Sequence, residues 1–100
     1  NTTTADWELS APAGDVAFAR RYLDVEGDAD FTRRFIRAAL ASVSDTAVIP
    51  MPDWLGLGAE ARINTPSTLG GNWLWRMDPA ALTDALAADI LALTKLYGRC

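Results

Sequence analysis

The sequence predicts a mostly helical α/β chain on the plan of a parallel barrel, in which strands alternate with helices. Three observations predict it. Three stretches carry apolar residues at helical spacing, and one short β-branched run reads as a buried strand. Residues 56–76, GLGAEARINTPSTLGGNWLWR, follow neither the helical nor the strand period and read as a long ordered loop. A β-α-β-α remnant of a (β/α)8 barrel accounts best for this order.

Residues 1–10, NTTTADWELS, read as a loop rich in short polar groups. Ser10 is placed to cap a helix with Pro12 in its first turn, where a missing N–H costs nothing. Val16, Ala19 and Leu23, flanked by Phe18 and Tyr22, form one face of that helix, and Gly27 is expected to break it. Asp30 is placed to cap a second helix over 31–43, with a stripe of Phe31, Phe35, Leu40 and Val43 beside Ile36. Thr46-Ala47-Val48-Ile49-Pro50-Met51 is β-branched, apolar and bounded by turn formers, the pattern of a fully buried strand. After the long loop, Asp78-Pro79 or Thr83 opens a last helix to about Tyr97, striped by Leu82, Leu86, Ile90, Leu93 and Tyr97 and stopped by Gly98. A lone strand leaves its ladder groups unpaired. Its partners are therefore expected in residues 1–9, in residues 71–77, or in sequence outside the chain.

The 100 residues, half of them hydrophobic, fit one globular domain. Nine basic against thirteen acidic side chains give a net charge of −4, which argues against nucleic acid as a partner. Arg33, Arg34 and Arg37 read as a solvated helix face rather than a phosphate site. A single cysteine, Cys100, permits no internal disulfide and favours an intracellular compartment. No apolar run reaches the roughly 18–20 residues needed to cross a bilayer, so no membrane partner is expected. A start at Asn1 rather than Met suggests a piece of something larger. There is no histidine, which rules out a Ser-His-Asp triad, a Cys-His pair or an imidazole-bound metal within these residues. No metal and no cofactor is expected. Any enzymology must run on carboxylates or be completed from outside the chain.

The loop 56–76 concentrates four of the seven glycines, two asparagines, two arginines and two of the four tryptophans. Asp53 lies just past the expected strand, where a barrel places functional groups. Asn64 and Asn72 offer amides suited to sugar hydroxyls, and Trp54, Trp73 or Trp75 offer faces for stacking on a pyranose ring. The plainer readings are tryptophans as core anchors, Asn64 as a turn residue before Thr65-Pro66, and Arg62 and Arg76 as props of the loop.

The motif RxNTPxT at residues 62–68, GNWxWR at 71–76, SVSDTAVIP at 42–50 and LGLG at 55–58 together resemble the C-terminal end of 4-α-glucanotransferases, the amylomaltases or disproportionating enzymes. ARRYL at 19–23, FIRAALAS at 35–42 and LTKLYGR at 93–99 extend the resemblance in the same order over nearly the whole chain. The resemblance implies a (β/α)8 enzyme that cleaves an α-1,4-glucosidic bond and passes the glucan to another sugar with retention. Such chemistry uses two carboxyl groups about 5–5.5 Å apart. In the family these are an Asp and a Glu on strands four and five, with a third carboxylate in a His-Asp-Asn motif after strand seven. Asn1 looks like the Asn of that motif, which leaves all three carboxylates outside the chain and no catalytic residue within it. The chain then resembles the C-terminal quarter of the barrel: the end of strand seven, helices, strand eight, the substrate-side loop and the closing helix.

By the same resemblance Asn64 approaches the donor sugar, Pro66 and Thr68 shape the loop around it, and Asp53 and Asn1 contact substrate or orient its neighbours. Thr2, Asp6, Pro52, Ile63 and Ser67 depart from the family pattern; Pro52 removes a side-chain amide and a backbone donor at the rim. The expected partners are a maltodextrin substrate and the remainder of the barrel, with dimerisation if the chain is isolated, and the expected location is the cytoplasm. The alternative is a stand-alone, non-catalytic helical interaction module descended from such an enzyme.

Overall fold

The computed structural model describes residues 2–25, 31–61 and 75–100. In chain order these form α1 (Thr4–Ser10), α2 (Ala13–Leu23), α3 (Phe31–Ala41), α4 (Met51–Trp54) and α5 (Asp84–Leu96), with single 3₁₀ turns at Ala59–Ala61 and Pro79–Ala81. The helical part of the expectation holds. The strand does not form: residues 46–50 run as coil, and Val48 is 82% exposed. The reason is pairing, because a β-branched run stays a strand only where a neighbour accepts its ladder, and none lies beside it among the described residues.

The opening loop is also corrected. Thr3 accepts the Asp6 N–H at 3.2 Å through its hydroxyl and so caps α1, the helix that residues 1–10 were expected to lack. Ser10 ends α1 rather than capping α2, and its hydroxyl donates to Asp6 O at 2.8 Å. At the far end of α2, Asp24 takes the left-handed conformation, with φ 58°, and Val25 N–H reaches back to Arg20 O at 3.0 Å. This closes the helix before Gly27; Gly27 and Asp30 lie outside the described residues.

Helix α3 is the hub, touching α1, α2, α4 and α5. Its inner face buries Phe31, Ile36 and Leu40, and Leu93 of α5 closes on Ile36 and Leu40. Ala47, Ile49, Trp54 and Tyr97 pack around that group, and Trp7 of α1 stacks on Phe31 with centroids 6.0 Å apart. Two members of the expected stripe are exposed, Phe35 at 42% and Val43 at 103%: Val43 lies beyond the end of α3 at Ala41, and Phe35 stands off the buried 31–36–40 line. Leu82, expected in the stripe of the last helix, instead precedes α5 and is exposed.

Two of the three clustered arginines, Arg33 and Arg37, serve helix packing, and Arg34 is exposed. Arg33 grips Asp89 of α5 through two bonds of 2.7 Å, and Arg37 donates to Tyr97 Oη at 3.0 Å while lying 5.9 Å from its ring centroid. Arg99 serves the end of α3, donating to Leu40 O at 2.8 Å and to the carbonyls of Ser42, Ser44 and Asp45. Gly98, with φ 69°, ends α5 as expected and lets Arg99 N–H bond Thr94 O at 2.9 Å.

Candidate functional site

The four-residue helix α4 begins after Pro50 and holds Pro52 in its first turn. An N–H at that position has no intrahelical acceptor, so the departure at Pro52 removes a donor the helix does not use. Pro52 is buried, and its carbonyl accepts Leu57 N–H at 2.9 Å across Gly56, whose φ is 69°. This closure turns the chain back toward the loop and fixes the orientation of Asp53.

Asp53 points at α1. Its Oδ1 accepts the Thr4 N–H at 2.9 Å and its Oδ2 accepts the Thr4 hydroxyl at 2.8 Å, across 49 positions of sequence. Bonds to a carboxylate are shorter and stronger than neutral ones. Thr3, beside this clamp, is 6% exposed. A cavity of about 320 Å³ opens against it, with Glu8, Phe31, Arg33, Asp53, Trp54 and Gly56 in its walls. Glu8 is paired with Arg20, and Arg33 with Asp89, so the charges of this cavity already serve the fold.

Of the five expected substrate-binding residues, the structure places Asp53; Asn1, Asn64, Pro66 and Thr68 lie outside the described residues. Asn72, Trp73 and Arg62 lie outside them too. Trp54, offered as a stacking platform, instead packs on the Ile36–Leu40–Leu93 group, as a core anchor would. Among the described residues no cluster of His, Cys, Asp and Glu is placed to hold a metal ion. Sequence reading missed Thr4 as the partner of Asp53. The available signal was Thr3 three positions before Asp6, a capping spacing that marks a helix start and directs the next residue's N–H outward.

Comparison with known proteins gives one answer. A family model described as 4-alpha-glucanotransferase, glycoside hydrolase family 77, matches residues 1–83. The chain is 39% identical over 99% of its length to the chloroplastic/amyloplastic 4-alpha-glucanotransferase DPE1 of Arabidopsis thaliana, of which it covers 18%. It is 39% identical over its full length to the 4-alpha-glucanotransferase of Clostridium butyricum, covering 21% of that protein. An amylomaltase from Streptococcus agalactiae in complex with acarbose superposes with a TM-score of 0.90 and 32% identity over 99% of this chain and 20% of that one. The chain thus spans about a fifth of the length of the relatives it matches.

Proposed function

This chain belongs to the 4-alpha-glucanotransferase family, and on that premise we propose that it is part of an enzyme that moves α-1,4-glucan segments between maltodextrins with retention of configuration. The superposition on an amylomaltase over 99% of the chain carries the reading, because it matches the arrangement of the helices as well as the residues.

In this reading the chain forms the C-terminal quarter of a (β/α)8 barrel. Residues 46–50 are the last strand and gain their ladder from barrel neighbours elsewhere in the enzyme. The nucleophile, the acid/base and the stabilising carboxylate are supplied by that remainder, and this piece contributes the wall of the glucan cleft. Asn64 meets the donor sugar with an amide that both donates and accepts, as sugar hydroxyls require. Pro66 and Thr68 shape its loop, and Asn1 and Asp53 contact the glucan or orient the groups that do. The lone cysteine suits a reducing compartment, and we place the enzyme in the cytoplasm.

Two samples incubated with maltotriose test the proposal. The full-length enzyme that carries this chain is expected to release glucose and build longer malto-oligosaccharides, and the 100-residue chain alone is expected to release none above background. Absence of transfer by the full-length enzyme would overturn the reading.

A further inference from the structure

Asp53 is one of the five residues proposed to contact the glucan, yet both of its carboxylate oxygens are already engaged by Thr4, at 2.9 and 2.8 Å. The Thr3 hydroxyl caps α1 through the Asp6 N–H alone, and the Thr4 N–H, the first of the helix, is left to Asp53. A carboxylate brought from 49 positions away, which takes the Thr4 hydroxyl as well as this N–H, fastens α1 to α4 in addition to completing the helix end. Thr4 stands three residues after Asn1, and Asp53 stands eleven before Asn64. The bond joins the two stretches of chain that carry the candidate substrate residues.

From this juxtaposition we infer that Asp53 is a positioning residue, which locks Thr4 onto α4 and so holds the segment leading from Asn1 in register with the loop leading to Asn64. It acts through Thr4 and does not touch the sugar. The inference rests on the glucanotransferase reading for its readout, and its geometry is independent of it. Two charge-assisted bonds from one rigid carboxylate to a backbone N–H and its own side chain fix both the position and the rotation of Thr4. Misplacement of a site by about 1 Å costs on the order of 100-fold in rate, mostly in the turnover step.

The test is steady-state transfer from maltotriose by the full-length enzyme carrying Asp53→Ala, Asp53→Asn, Thr4→Val, Thr4→Ser and the pair Asp53→Ala/Thr4→Val. Asp53→Ala is expected to lower kcat about 10- to 100-fold with KM within about twofold. Asp53→Asn should restore most of the loss, because its amide oxygen accepts the Thr4 N–H and its amide nitrogen donates to the Thr4 hydroxyl. Thr4→Val should lower kcat less than Asp53→Ala, Thr4→Ser should be near normal, and the pair should be no worse than Asp53→Ala alone. If Asp53→Ala does not fold, the two Thr4 variants and Asp53→Asn decide the matter. A raised KM with kcat intact would assign Asp53 to the sugar and overturn the inference, as would additive losses in the pair or unchanged kinetics in every variant. Wild-type enzyme without transfer would overturn the functional reading and this inference together; active wild type with indifferent variants would overturn the inference alone.

Discussion

Asp89 sits on α5 with its carboxylate held by the two nitrogens of Arg33, and that hydrogen bonding lowers its pKa from the ordinary 3.8. A depressed folded-state pKa gives stability that is present above the unfolded value and lost as pH falls through the folded one. The pair should therefore tie α3 to α5 at neutral pH and weaken as pH falls below 3.8 and through the lower folded-state value. Hydrogen exchange of the α5 amides in the full-length enzyme measures this. Asp89→Asn is expected to speed exchange at pH 7 by a margin that shrinks as the pH is lowered past 3.8, and 1 M salt should narrow the gap because both side chains are partly exposed. No sequence signal paired Arg33 with Asp89: 56 positions separate them, and the three arginines by themselves read as a solvated face. Asp53 was singled out from its place after the expected strand, but its partner was hidden by the reading of residues 1–10 as loop.

At the scale of elements, the helices were legible where apolar spacing ran for three turns or more. Thr83 caps α5 by accepting Leu86 N–H at 3.1 Å, one of the two starts the sequence offered, and Asp78 caps the preceding 3₁₀ turn, the other. What could not be read is α1, too short to display a period, and the state of residues 46–50, which depends on neighbours rather than on local preference. Glycine substitutions separate a left-handed helix end from a right-handed first turn. Gly98→Ala places a Cβ on backbone with φ 69° and should cost about 1 kcal/mol, whereas Gly14→Ala, in the first turn of α2 with nothing within 4 Å of the new carbon, should stabilise by about 0.5 kcal/mol. Thermal melts of the full-length enzyme, expected to shift in opposite directions for the two variants, check this pair.

For the whole molecule, the decisive property is how little it buries. Among the described residues five hydrophobic side chains form the core, while Leu9, Phe18, Tyr22, Val43, Val48, Leu82 and Leu96 are more than half exposed. An apolar groove of about 570 Å³ between α2 and α3, walled by Trp7, Phe18, Tyr22 and Phe35, stands open. The Cα radius of gyration is 14.6 Å, against about 13 Å for a closed domain of this length. We therefore expect the isolated chain to melt without a cooperative transition, to bind a hydrophobic dye, and to dimerise if it becomes stable; a sharp two-state melt of a monomer would contradict this. The Arg99 clasp adds a constraint in time. The Leu40 carbonyl near the end of α3 is bonded by a guanidinium that leaves the ribosome 59 residues after it, so this part of the hub helix waits for a residue synthesised much later. Until Arg99 arrives, the end of α3 is held locally by Ser42, whose N–H and hydroxyl bond Ala39 O at 3.3 and 2.8 Å, and Leu40 O is left to water.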